Sequence, residues 1–378
     1  MKIVVAPTTF KGSIGVMDAC IAIIKGIREV HPKADIIQVP ISDGGDGFLE
    51  SLLFNVGGEF LHTTATNPVG KRIETVCGRL RNGKGVVEMA KASGVAFLRA
   101  EEKDPLITTS YGTGELIDFL IRSGIKDIVV GVGGSATIDM GVGCMQALGV
   151  DFLDINGKNV GFGGKELVRI KTIDIDRASK RLKNLKLVIA ADVKNPLLGE
   201  EGAVVTYGRQ KGLSSKEIPF MEDGLRNVAE IIKESFDKDV TKIPGGGAAG
   251  GIAAGLYGIL NAEIKEGTEV LLEMVNLEEK TADAELIITG EGRFDRQSMY
   301  GKAAYRVLQL GHKNNIFVVL LTGELTDEAM EVFKPGKSLG INITPPGMSQ
   351  KEAMKRVSQL LQNSTERALR KFSGLRIR

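Results

Sequence analysis

Histidine is scarce in this chain: three in 378 residues, His31, His62 and His312. His31 precedes Pro32 at an expected helix end and His312 follows Gly311 in another, so all three read as solvated turn residues. A Ser–His–Asp triad or a histidine-based zinc centre has nothing to be built from. Cysteine is equally sparse. Cys20, Cys77 and Cys144 lie far apart without CxxC spacing, a set that suits a reducing compartment in which each acts as a small apolar residue. No apolar run nears the roughly 18 residues of a membrane-spanning helix, and "MKIVVAPTTF" reads as a strand rather than a signal peptide. The expected compartment is the cytoplasm. A formal net charge of +2, with no block of like charges, gives no reason to expect nucleic acid or an anionic membrane as partner. Two cofactor signatures are missing as well. GxxxxGK[ST] does not occur, and "GVGGSA" (131–136) lacks the last glycine of GxGxxG, which argues against a P-loop enzyme and a Rossmann dehydrogenase.

Glycine is plentiful, at 48 residues. The glycines cluster at the ends of apolar runs, where a strand must turn sharply or let a ligand approach the backbone. The length exceeds what one hydrophobic core supports, so two domains are expected. "KIVVA" (2–6), a helix over 15–30, "DIIQVP" (35–40) and the helix "FLESLLFNV" give β-loop-α-β-loop-α, the grammar of a parallel sheet. The last third repeats it with "LIITG" (286–290), a helix over 302–310, "IFVVLLTG" (316–323) and "SLGINI" (338–343), and closes with one amphipathic helix over 349–372. In the middle, 67–90 alternates around "RNGKG" and reads as a hairpin, while "DIVVGVGG" (127–134) and "LKLVIAADV" (185–193) are further buried strands. The simplest architecture is an α/β chain whose two ends, 1–66 and 285–378, form one doubly wound domain with 67–284 inserted as a second α/β domain.

In a parallel α/β sheet, ligands bind outside the carboxyl ends of the strands. The expected strands are followed by "TTFKGS" with Lys11 and Ser13, "SDGGDG" with Asp43, Gly44, Gly45 and Asp46, and "GGSATIDMG" with Gly133, Gly134, Ser135, Thr137 and Asp139. Next come "DVKNP" with Asp192 and Asn195, and "GEGRFDRQSMYGKA" with Glu291, Arg293, Asp295 and Lys302. Glycines and hydroxyls for phosphate oxygens, cations for the transferring group and carboxylates for Mg²⁺ or the attacking hydroxyl suit phosphoryl transfer. "TTSYGTGEL" (108–116), with Thr113, is a further candidate cradle leading into a helix near Glu115. Blander readings stand beside these. Asp46 and Asp139 suit helix N-caps, Lys11 suits an exposed loop, Arg296 suits the surface, and the glycines of 249–255 suit close helix packing. Gly245 to Ala248 are balanced between packing and anion binding.

Eight motifs in order, "APTTFKGS", "PISDGGDG", "TTSYGTGELI", "GVGGSATIDMG", "ADVKNPLLG", "YGRQKG", "PGGGAAGG" and "ITGEGRFDRQSMYGKA", resemble the bacterial type I glycerate kinase family over nearly the whole chain. The resemblance implies ATP-dependent phosphorylation of D-glycerate, with 2-phosphoglycerate the usual product. It also implies a flavodoxin-like domain carrying an inserted, swivelling β/β/α-type domain. Thr8 stands where the family pattern has aspartate, Ile138 where it has asparagine, Met140 where it has glycine and Asp46 where glutamate is commoner. Arg209 and Arg296 stand where proline and glycine are frequent. On this reading Lys11 and Arg293 stabilise the transferred phosphoryl group, Asp43 or Asp295 holds Mg²⁺, and Asp192 accepts the substrate's proton with Asn195 beside it. The two domains are expected to close around substrate. The changes at 8 and 138 favour a rival reading as a kinase of another small hydroxy acid. A catalytically silent phosphometabolite-binding regulator is the alternative from another class.

Overall fold

The computed structural model describes residues 1–376. Its contacts divide the chain into two compact units, Met1–Val56 with Thr268 onward, and Gly57–Gly267. Numbered in chain order, the first strands are β1 (Lys2–Pro7), β2 (Asp35–Gln38), β3 (Gly58–Thr66), β4 (Arg72–Leu80) and β5 (Gly85–Glu88). The middle of the chain adds β6 (Asp127–Gly131), β7 (Asp151–Leu153), β8 (Thr172–Asp174), β9 (Lys186–Ala190) and β10 (Glu263–Lys265). The last third supplies β11 (Leu286–Phe294), β12 (Phe317–Leu325) and β13 (Ser338–Asn342).

The first unit is a parallel sheet in the order β13-β12-β11-β1-β2. Counted within the unit this is the 2-1-3-4-5 order of flavodoxin-like folds, with its topological switch between β1 and β11. Its strands are unbroken apolar runs because helices cover both faces. Ile3, Val5, Ile288, Val319 and Leu321 pack with the helices Val16–Val30 and Val357–Arg376. On the other face the helix Ala303–Lys313 comes so close that a Cβ at Gly311 would lie 2.1 Å from Val318. Each fully buried aliphatic side chain contributes about 1.5–3 kcal/mol. Two sequence expectations change here. β11 does not end at Gly290 but runs to Phe294, its last residues paired with β12 through Glu291–Thr322 and Arg293–Glu324. The closing helix is two, Gln350–Lys355 and Val357–Arg376, and the first is capped by Ser349, whose hydroxyl accepts from Glu352 N.

The second unit's main sheet is ordered β10-β9-β6-β5-β4-β3. β10, β9, β6 and β5 run parallel, whereas β5, β4 and β3 pair antiparallel. The expected hairpin is β4–β5, closed by Leu80 N donating to Lys84 O at 2.8 Å. The division falls at 56/57 and 267/268, earlier than the expected 66 and 284. At the first junction β3 pairs with β4 from Gly58–Leu80 to Thr66–Arg72, so it belongs with the inserted segment. Its exposed Glu59, Phe60 and His62 hide a strand's alternation, and His62 sits in mid-strand rather than in a turn. At the second junction Lys280 Nζ donates to Asn55 Oδ1 at 3.0 Å, tying the helix Leu277–Thr281 to the first unit. His312 also differs from expectation, sharing a 2.9 Å hydrogen bond with Ser338 from within its helix. The three cysteines are free and buried, and burial pushes the Cys20 and Cys77 thiols up to about 12. Among the described residues no helix is long and apolar enough to cross a membrane.

The glycines of 249–255 do pack closely, as expected, but against the backbone of 137–140, and the first of them are not helical. Ala249, Gly250 and Gly251 carry left-handed φ of 52°, 74° and 89°, and a Cβ at Gly250 would lie 2.1 Å from Thr137 O. That clash separates two costs. Gly157 has a similar φ of 73° with nothing within 4 Å of a Cβ. Gly157→Ala should cost about 1–2 kcal/mol from backbone conformation alone. Gly250→Ala should cost at least about 2 kcal/mol more, read from urea unfolding of both variants. Equal losses would show that the 137–138 backbone yields freely.

Candidate functional site

The first unit's site begins where β1 meets β11. Thr8 donates its N–H to Gly290 O at 2.8 Å and its hydroxyl to the same oxygen at 3.1 Å. The chain then folds back: Phe10 and Ile14 exchange backbone hydrogen bonds of 3.1 Å each, Gly12 takes φ of +72°, and Lys11 is exposed at the tip. This turn lies against β11 at Gly292. Gly292 faces Lys11 N and Phe10 Cα at 3.4 and 3.5 Å from where its Cβ would be, and a Cβ at Gly290 would meet Leu321 O at 2.3 Å. The next loop is tied in by Thr9, whose hydroxyl donates to Asp46 O at 3.1 Å. In that loop Gly44 has φ of +78°, Asp43 is half-buried and Asp46 is exposed.

These loops enclose a cavity of about 520 Å³. Lys11, Asp43, Asp46, Glu291, Arg293 and Lys302 line it together with Ser13. It thus unites six charged residues that were singled out across nearly 300 positions of sequence. Glu291 is 8% exposed, and its Oε1 has no hydrogen-bond partner. Burial raises its pKa to about 7, against the pull of Lys302 and a Ser298 hydrogen bond, with Asp43 and Asp295 adding to the rise. Asp295 is already engaged: Oδ1 accepts from Ser298 N at 3.1 Å and Oδ2 pairs with Arg293 Nε at 3.2 Å. Arg293 also lies 3.6 Å from Glu324. Ser13 donates its hydroxyl to Met354 O at 2.6 Å, so it fastens the loop to the helix Gln350–Lys355. Arg296 is exposed, as its surface reading expected.

The second unit gathers the other candidates around a buried network. Asp139, 1% exposed, accepts from Ser110 N and Ser110 Oγ at 2.8 Å each and from Gly141 N at 3.2 Å. Burial raises its pKa against the hydrogen bonds from Ser110, Gly141 and Gly143. Lys211 is buried beside it and donates to Ser135 Oγ at 2.7 Å and Thr137 O at 2.8 Å. Burial pulls Lys211 down to about 7, with Asp139 opposing. Gly133 and Gly134 are half-buried in the same loop.

Residues 108–113 do not form an open cradle. The helix starts at Tyr111, not near Glu115. Thr108, Ser110 and Thr113 are buried, and their hydroxyls are spent on Ala136 O, Asp139 and Ser93. Thr113 therefore serves packing. Asn195 accepts from the Tyr207 hydroxyl at 2.6 Å and donates to Glu201 O at 2.8 Å, which holds its loop in place. Asp192 is half-buried, two residues past the end of β9. Lys211 was missed by sequence reasoning, because a lysine between a short turn and a glycine looks solvated.

The "Glycerate kinase family" model matches residues 3–373. The chain belongs to the glycerate kinase family. It is 43% identical to the glycerate 2-kinase of Escherichia coli K12 over 89% of this chain and 88% of that one. It is 39% identical to the glycerate kinase of Halalkalibacterium halodurans over 96% of both. A crystal structure named "putative glycerate kinase 2" from Salmonella typhimurium LT2 covers both chains completely at a TM-score of 0.86 and 35% identity. The chain is accordingly a kinase of this family, with its two-part α/β fold. Two of its departures from the family pattern take their place in the structure. Ile138 is wholly buried, and Met140, where the resemblance leads one to expect glycine, takes a left-handed φ of +52°.

The Lys211 network carries a pH signature. Lys211 titrates near 7 in the fold, against about 10.4 in an unfolded chain. Between those values the unfolded state binds more protons, so its contribution to stability rises with pH, and the penalty is full below 7. Relative to Lys211→Met, the parent should gain stability from pH 7 to 10, with a slope approaching about 1.4 kcal/mol per pH unit. Urea unfolding of both at several pH values measures the difference, and a flat difference would refute the depressed pKa.

Proposed function

We propose that the chain is an ATP-dependent kinase of D-glycerate that yields 2-phosphoglycerate by in-line phosphoryl transfer. One observation carries this reading most: a single cavity of the first unit is lined by the cations Lys11, Arg293 and Lys302 and by the carboxylates Asp43 and Glu291. Phosphoryl transfer needs cations on the transferring group and carboxylates for a metal, with little covalent chemistry besides. The E. coli relative's name, glycerate 2-kinase, supports the choice of product.

Kinases of this kind use magnesium, which takes one or two carboxylates and completes its shell with phosphate oxygens and water. Among the described residues no cluster of three or more His, Cys, Asp or Glu could hold a metal alone. A two-carboxylate donor set is present. Glu291 Oε1 is buried without a partner, and Asp43 lies close enough to raise the pKa of Glu291. We therefore assign Mg²⁺ to Asp43 and Glu291 rather than to Asp43 and Asp295, whose carboxylate is engaged by Ser298 and Arg293. When bound, the ion supplies neutralising charge for the phosphate chain.

Asp192, a half-buried carboxylate two residues past the end of β9, takes the proton of the acceptor hydroxyl, a task a carboxylate can perform. The buried free cysteines suit the cytoplasm. A coupled ADP-release assay across D-glycerate, tartronate and related hydroxy acids should favour D-glycerate, with ³¹P NMR placing the phosphate on the 2-oxygen. Asp192→Asn should lower kcat by at least about 10²-fold. Turnover near the parent's would remove Asp192 from this role, and no ADP from any acid would overturn the whole reading.

A further inference from the structure

The first unit's cavity is larger and less polar than a three-carbon acid requires. Every carbon of glycerate bears oxygen, so glycerate has little apolar surface to bury. The cavity nevertheless measures about 520 Å³, within the roughly 300–1,000 Å³ of pockets that enclose drug-sized ligands. One of its walls is apolar: Met348, Met354, Val357 and Leu360, with Ala353 and Ile343. This wall comes from the turn after β13 and from the two C-terminal helices. It is joined rigidly to the cationic loop. Ser13 Oγ donates to Met354 O at 2.6 Å, and a Cβ at Gly12, next to Lys11, would lie 3.0 Å from Met354 Cε. An elongated ligand that touched Met354 would therefore reach Lys11 along the same surface. The cavity also lies at the carboxyl ends of β1, β11, β12 and β13, around the switch point where open α/β sheets bind ligands.

We propose that this cavity takes a nucleoside triphosphate, with its base against Met348, Met354, Val357 and Leu360 and its phosphates toward Lys11 and Lys302. The proposal rests on the kinase reading and deepens it by assigning the phosphoryl donor to the first unit. Thioethers suit the task, since methionine fills irregular gaps against a flat ring and makes favourable sulfur–aromatic contacts. Lysines serve as point charges for phosphate. Half-buried Met348 and Met354 present this surface without closing it, whereas buried Val357 and Leu360 fix its floor.

Direct titration of the full chain with ADP, beside steady-state kinetics with D-glycerate, tests the assignment. Met354→Glu sets a carboxylate against the base and should weaken ADP at least tenfold while leaving the KM for glycerate within twofold. Met348→Gln should weaken ADP several-fold from the other side of the wall. Met354→Leu keeps an apolar side chain of similar volume and should lose less ADP affinity than Met354→Glu, which separates loss of apolar character from misfolding. ADP binding untouched by both Met354→Glu and Met348→Gln, or a rise in the glycerate KM alone, would overturn the proposal. The two readings fail differently. A chain that binds ADP at this wall but turns over no glycerate loses the function and keeps the site, whereas normal turnover by Met354→Glu with unchanged ADP affinity loses only the site.

Discussion

The parallel pairing of β1 with β11 is the contact on which the first unit depends. It sets Thr289 against Ala6, a hydrogen bond of 2.7 Å between residues 283 positions apart. Closing so long a loop costs entropy that only extensive burial repays, and the repayment is the run of wholly buried side chains from Ile3 to Val5 and from Leu286 to Ile288. Everything chemical in this unit hangs from that seam. Thr8 is fastened to Gly290, the Lys11 turn lies on Gly292, and Glu291 between the two glycines is carried under cover. Glycine at 290 is required where β11 lies on β12, since a Cβ there would meet Leu321 O at 2.3 Å, whereas a Cβ at Gly292 would make only ordinary contacts with the Lys11 turn.

The two units treat buried charge in opposite ways. In the second, Asp139 is surrounded by donors that anchor the start of the helix Tyr111–Arg122 and the turn at Gly141. A satisfied network of this kind holds loops in one arrangement. In the first, Glu291 keeps an oxygen without any partner and lines a cavity. An unpartnered buried carboxylate is expensive and persists where a ligand completes it. A buried carboxylate is fully satisfied in one place and keeps an open oxygen in the other because of what surrounds it.

The departures from the expected family pattern are absorbed by local geometry. At position 8, where the resemblance leads one to expect aspartate, the Thr8 hydroxyl is spent on Gly290 O and helps to anchor the turn. At 138 an apolar side chain goes wholly into the core. At 140 methionine accepts the backbone conformation for which glycine is suited, and burial of its side chain offsets the cost.

The strands that carry the site were legible because parallel strands covered on both faces read as unbroken apolar runs, and the loops after them could be named from order alone. Boundaries were less so. β11 continues past Gly290 because β12 offers it partners, and β3 is a strand because β4 pairs with it along its whole length. The residues by themselves determined an α/β chain with charged, glycine-rich loops at the ends of its strands, since apolar periodicity and turn chemistry are local properties. Only the tertiary structure decided that Glu291 is buried with an open oxygen, that Lys211 is buried beside Asp139, that Thr113 is spent on Ser93, and that Met354 packs against Gly12 and Ser13 of the Lys11 turn. The reason is physical: solvation, pKa and reach depend on neighbours brought from tens to hundreds of positions away, and no local pattern records them.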